Sequence, residues 1–147
     1  MPKVKDNMQI GPMIWKMRIE VPKLVKKAQA GQFVIIRVNE EGERVPMSIA
    51  GLDKENGLLT VIYQVVGKTS ATMTTVPAGG DILDCVGPLG VASHVDNWGT
   101  ACVVGGGIGI ADRAAVGIGA AGCGGVDGGL SQCGGAGVGP DFAGLEN

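Results

Sequence analysis

The sequence changes character within one or two residues of Ala111. From Asp112 to Asn147 glycine supplies 12 of 36 residues, and Arg113 is the single positive charge. Large apolar side chains thin out to Ile118, Leu130, Phe142 and Leu145, with a few valines. Glycine loses the most backbone entropy on ordering. A segment with so little to bury cannot offset that loss, so 112–147 reads as a low-complexity, disordered tail. It has neither the every-third glycine of a collagen helix nor a clear repeat. Whatever core this chain builds is therefore expected before residue 112, in a stretch long enough for one domain.

That stretch is patterned for strands. In "MIWKMRIEV", Met13, Trp15, Met17, Ile19 and Val21 alternate with Lys16, Arg18 and Glu20, the period-two signature of a half-buried strand. The runs 31–38 and 57–66 are rich in β-branched residues, and 46–52 and 81–87 read as shorter strands. "NEEGE", "DKENG" and "PAGGD" supply turn chemistry between them. One short helix is expected over 68–76, capped by Thr69 or Ser70. Several strands at short intervals with one brief helix predict a mainly β fold, a small antiparallel barrel or sandwich. "TACVVGGGIGIA" then reads as the first strand of a parallel α/β nucleotide domain, running into a glycine turn. The expected organisation is a β domain over 1–98, an incomplete α/β unit over 99–111 and the tail over 112–147.

Other classes find little support. The net charge of −2 gives no electrostatic case for nucleic acid or an anionic membrane. No run approaches the ~20 apolar residues of a membrane span. The charged "MPKVKDNMQI" has no apolar signal core, so a cytoplasmic protein is expected. The lysines of "VPKLVKKAQAG" read as a solvated face beside a helix or turn, with docking to an acidic partner as the rarer alternative. Cys85, Cys102, Cys123 and Cys133 form no CxxC pair, so reduced thiols and no metal site are expected. His94, the one histidine, reads as a surface residue.

Four short motifs carry chemistry, each with a plain structural alternative. In "GERVPMSIAG", Arg44 can hold a phosphate oxygen pair with two parallel hydrogen bonds, and Ser48 can meet the polar edge of a flat heterocycle. Alone, the pair is equally an exposed arginine and a strand serine. In "QVVGKTSATM", Gly67 lets the backbone approach a ligand and the helix start offers backbone N–H groups to an anion. It is not a Walker sequence. "VGPLG" reads as a rigid turn at a domain junction. "VVGGGIGIA" is a dinucleotide hint that depends on a following helix.

Their order and spacing are more specific than any one of them. With "AGQFVIIRV" and "GDILDCVGPLG", they resemble the ferredoxin-reductase-like flavoproteins over roughly Met8 to Ala111. Within that family the likeness is to the electron-transfer subunit of dihydroorotate dehydrogenase and the small subunit of NADH-dependent ferredoxin:NADP oxidoreductase (sulfide dehydrogenase). The resemblance implies a Greek-key FAD-binding barrel followed by an NAD(P)H-binding domain and a [2Fe–2S] cluster. It also implies a partner, the catalytic or larger flavoprotein subunit of a hetero-oligomer. Carried over by position, Arg44 would contact the FAD phosphates. Pro46, Met47 and Ser48 would line the isoalloxazine. Gly67, Lys68, Thr69 and Ser70 would cradle the pyrophosphate, and Gly105, Gly106, Gly107 and Gly109 would open the nicotinamide-nucleotide site. No catalytic residue is implied, since the hydride chemistry belongs to the cofactor.

Past that point the sequence departs from the family pattern. Ala111 is followed by Asp112 where the family continues with proline and a helix. Cys123 and Cys133 do not reproduce the closely spaced cluster cysteines. The expectation is a chain truncated after the start of the NAD domain, with a tail that follows a frame change or a truncating event. Its function is then that of an electron-transfer flavoprotein subunit, the alternative being a non-catalytic flavin- or partner-binding module.

Overall fold

The computed structural model describes residues 1–94 and Ile108. The expected boundaries at 98 and 111, the glycine turn at Gly105, Gly106, Gly107 and Gly109, the tail, and Cys102, Cys123 and Cys133 lie outside the described residues.

Among the described residues seven strands and two short helices follow one another: β1 Lys3–Gly11, β2 Ile14–Glu20, α1 Pro22–Val25, β3 Phe33–Arg37, β4 Val45–Ser48, β5 Gly51–Asp53, β6 Leu58–Gln64, α2 Lys68–Thr74 and β7 Asp84–Leu89. All pairings are antiparallel. One sheet has the order β1-β2-β6-β5 and the other β4-β3-β7. The chain leaves β2, builds β3 and β4 in the other sheet, re-enters the first sheet as β5 and then places β6 between β5 and β2, a Greek-key path.

Two places join the sheets into a barrel. At Ile49–Ala50 the chain switches sheets between consecutive residues: Ile49 N–H donates to Gln32 O at 3.1 Å and Ala50 N–H to Thr60 O at 2.9 Å. Both side chains are buried, which ends the alternation of "PMSIAGL". The single strand expected over 46–52 is therefore two strands around a corner. On the opposite side, residues 79–82 run along β1, with Gly79 N–H to Val4 O at 2.7 Å and Ile82 N–H to Pro2 O at 3.0 Å. Leu83 N–H then crosses to Val38 O at 2.9 Å, and the chain continues as β7 beside β3.

The barrel is filled by the inward side chains of both sheets, among them Met17, Ile19, Val34, Ile36, Leu59 and Val61, all fully buried. Each such side chain contributes roughly 1.5–3 kcal/mol relative to exposure. The register of β2 places Met17 and Ile19 inward as the alternation predicts, whereas Met13 is a turn residue with positive φ and is 54% exposed.

Two further differences have physical reasons, and the lysine run agrees with its reading as a solvated face beside a helix. β1 escapes a pattern search because Lys3, Lys5, Asp6, Met8 and Gln9 leave only Val4 fully inside; it exists through its pairing with β2 and the Arg18–Asp6 ion pair. "VGPLG" is not a free turn: β7 extends through Leu89 with a cis Gly87–Pro88 bond. The turn comes at Gly90, whose φ of +79° favours glycine and whose added Cβ would lie 3.0 Å from the Phe33 ring. The lysine run forms the four-residue α1, with Leu24 and Val25 buried and Lys23, Lys26 and Lys27 exposed.

Candidate functional site

β4 alternates, with Val45 and Met47 turned toward the core and Pro46 and Ser48 exposed. It pairs with β3 so that Ile35 stands opposite Pro46 and Phe33 opposite Ser48. Pro46 and Ser48 thus share one outer face. Met47 packs against the core cluster, leaving that face only its backbone. Arg44 lies just before β4, exposed, and makes no ion pair among the described residues. The loop that delivers it is held by Arg37, whose guanidinium donates to Gly42 O at 3.1 Å through Nε and to Glu40 O through Nη2. Gly42 N–H closes the turn onto Asn39 O at 3.2 Å.

The second candidate segment follows β6. Gly67 is the N-cap of α2, and the cap has no side chain. Ser70, at the third helical position and buried, supplies the missing group. Its Oγ accepts from the N–H of Val66 and of Gly67 at 3.0 Å each and donates to Gly67 O at 3.0 Å. Ser70 therefore braces the turn from within, as half of a capping box, and is not the N-cap expected from the sequence. The first intrahelical bond is Ala71 N–H to Gly67 O at 2.9 Å. The N–H groups of Lys68, Thr69 and Ser70 precede that ladder.

The identity of Gly67 follows from neither strain nor crowding. Its φ of −159° is extended backbone open to any residue, and an added Cβ would meet nothing within 4 Å among the described residues. Among the described residues the space in front of it is open, and Lys68 beside it is exposed.

β4 packs on β6, and three residues separate the end of β6 from α2. The corner at Ala50 is bonded to Thr60 of β6. The two segments are thus carried on elements in contact. The glycine turn Gly105, Gly106, Gly107 and Gly109 lies outside the described residues. Sequence reasoning missed Arg37 as the anchor of the Arg44 loop, because its partners are backbone carbonyls that leave no mark in composition.

Elsewhere, burial and the neighbouring Asp84 charge push the Cys85 thiol up to about 12. Among the described residues no three His, Cys, Asp or Glu side chains gather as a metal site, and no helix is long and apolar enough to cross a membrane.

No protein-family model matches the chain. Relatives are found by sequence. A dihydroorotate dehydrogenase B (NAD(+)) electron transfer subunit homolog of Thermotoga maritima is 40% identical over 109 residues, 74% of this chain and 39% of the relative. The corresponding electron transfer subunit of Streptococcus mutans is 38% identical over 112 residues, 73% of this chain and 43% of the relative. Among solved structures, the NADH-dependent reduced ferredoxin-NADP oxidoreductase, studied for flavin-based electron bifurcation, superposes with a TM-score of 0.75 at 38% identity, over 79% of this chain and 44% of that one. Over this region, the chain belongs to the ferredoxin-reductase-like flavoproteins. An Amycolatopsis cytochrome P450 reductase shares the fold, with a TM-score of 0.64 at 24% identity. The chain spans about two fifths of the length of the curated relatives it matches.

Proposed function

We propose that this chain is the FAD-binding part of an electron-transfer flavoprotein subunit, passing electrons between NAD(P)H, FAD and an iron–sulfur partner. Residues 1–98 are the flavin domain in this reading. The glycines at 105, 106, 107 and 109 open the nicotinamide-nucleotide site. The partner is the catalytic or larger flavoprotein subunit of a hetero-oligomer. Arg44, Pro46, Ser48 and the Gly67–Ser70 turn would hold FAD, which would supply hydride and one-electron transfer chemistry.

One observation carries the reading. The Gly67 turn is braced by Ser70 from inside while its outer side, where a Cβ would fit freely among the described residues, lies next to exposed Lys68. That suits a phosphate approaching the N–H groups of Lys68, Thr69 and Ser70. Gly67 contributes close approach, its own N–H being bonded to Ser70 Oγ. Arg44, held out by the Arg37-braced loop, supplies a second charge for the phosphates. Pro46, the Met47 backbone and Ser48 offer the outer β4 face to the isoalloxazine.

The test is a fluorescence titration of the flavin-free chain with FAD, parent against Arg44→Ala. Loss of a charge-assisted contact worth about 1.5–3 kcal/mol weakens binding roughly 10- to 100-fold. An Arg44→Ala chain that binds FAD as tightly as the parent removes Arg44 from the site. A parent that binds no FAD removes the proposal.

A further inference from the structure

We propose that Asn7 of β1 is a positioning residue for the phosphate-binding turn, acting through helix α2; the inference rests on the FAD reading of that turn. α2 is a seven-residue helix, too short to be stable by itself, so its placement is set by what its two ends touch. The N-terminal end is tied to the extension of β6 by Ser70. Among the described residues, the side-chain hydrogen bonds that tie the other end to β1 come from Asn7. Asn7 Nδ2 donates one hydrogen to Met73 O at 2.8 Å and the other to Val76 O at 3.1 Å. Met73 is in the last turn of α2, where its carbonyl also accepts the Val76 N–H at 3.3 Å, and Val76 lies just past the C-cap, so Asn7 clamps the turn that closes the helix.

The orientation of the amide is fixed. Asn7 Oδ1 accepts the Tyr63 hydroxyl at 3.0 Å, and Tyr63 is buried in β6. Turning the amide over would face its oxygen toward two carbonyl oxygens and its NH₂ toward the phenol, losing the two helix bonds. Tyr63 thus sets Asn7, Asn7 sets the last turn of α2, and buried Met73 keeps the helix seated on the core. A helix of this length moves nearly as one body, so displacement of the last turn reaches Gly67–Ser70 about 10 Å away. Asn7 touches no ligand in this scheme.

The experiment compares FAD with riboflavin, which carries the isoalloxazine and no phosphate, on the full chain and two variants. Asn7→Asp keeps the acceptor for Tyr63 and removes both donors to the helix. Tyr63→Phe keeps the donors and removes what orients them. The expected result is a tenfold or greater loss of FAD affinity in Asn7→Asp, a smaller loss in Tyr63→Phe, and riboflavin affinity within twofold of the parent in both. Equal losses for the two ligands would show general damage to the barrel and overturn the positioning role, as would unchanged FAD affinity. Should Asn7→Asp fail to fold, Tyr63→Phe decides by the same ratio. A parent that binds riboflavin and FAD equally overturns the phosphate reading itself, a result distinct from any the variants give.

Discussion

Tyr63 and Asn7 lie 56 positions apart and meet through one hydrogen bond of 3.0 Å between the phenol and the amide oxygen. The phenol is 2% exposed, and burial pushes its pKa up to about 12. In the unfolded chain it ionises near ~10. The folded state therefore holds this proton more tightly. The resulting stability is complete below about pH 10 and is lost as pH rises toward about 12. In urea unfolding, the parent exceeds Tyr63→Phe by about 1 kcal/mol at pH 8, the net worth of one hydrogen bond. That gap closes between pH 10 and 12. Parallel stability curves for the two chains across that range would show that Tyr63 is not protected.

Cys85 gives a second alkaline signal. Its thiol, among the partly buried residues packed on the core, is pushed up to about 12 by burial and, secondarily, by Asp84. Thiolate is the reactive form, and an ordinary cysteine ionises near ~8.5. At pH 8 the folded chain holds on the order of a thousandfold less Cys85 thiolate than the urea-unfolded chain. An iodoacetamide pulse followed by peptide mass mapping should label Cys85 rapidly in urea and very slowly without it. Equal labelling rates would place the thiol in water.

Much of this fold is legible in the sequence where one strand face is inside and the other outside. Met17 and Ile19, Val34 and Ile36, and Leu59, Val61 and Tyr63 announce β2, β3 and β6 by alternation or by β-branched content. β1 is silent because its partners, not its composition, make it a strand. The corner at Ile49–Ala50 is silent because two consecutive buried residues look the same in a strand and at a sheet switch. The candidate site divides in the same way. Arg44, Ser48 and Gly67 stand out because polar or glycine residues interrupt apolar runs. Arg37 and Asn7 do not, since their bonds go to carbonyls and the contact of Asn7 with Met73 spans 66 positions.

Gly31 is required by both conformation and space. Its φ is +84°, and an added Cβ would lie 2.1 Å from Ser93 Oγ. Here the chain leaving β7 crosses the approach to β3, pinned by Ser93 N–H to Ala30 O at 2.8 Å and by Gln32 Nε2 to Gly90 O at 3.1 Å. Gly31→Ala should cost about 2–4 kcal/mol from clash and strain together. Adding Ser93→Gly removes the hydroxyl and Cβ but leaves the residue 93 backbone nitrogen 2.8 Å from the new Cβ, together with the positive-φ penalty of about 1–2 kcal/mol. Thermal unfolding of the single and double variants should therefore show partial recovery. Full recovery would mean that Gly31 is needed only for room.

Arg44 and Ser48 divide the proposed ligand between them, and the division can be measured. Arg44 is assigned to phosphates, where a planar guanidinium can make two parallel bonds that an ammonium cannot. Arg44→Lys keeps the charge and should retain part of the FAD affinity, with a weakening between that of the parent and Arg44→Ala. Riboflavin, lacking phosphate, should bind all three within twofold. Ser48 faces outward on β4 opposite Phe33 and is assigned to the isoalloxazine. Ser48→Ala removes one neutral hydrogen bond, worth about 1 kcal/mol, and should weaken FAD and riboflavin alike by roughly fivefold. It should also shift the visible absorption of the bound flavin, which Arg44 variants leave in place. If Ser48→Ala weakens FAD but spares riboflavin, β4 meets the phosphates instead, and the placement of the isoalloxazine on its outer face is wrong.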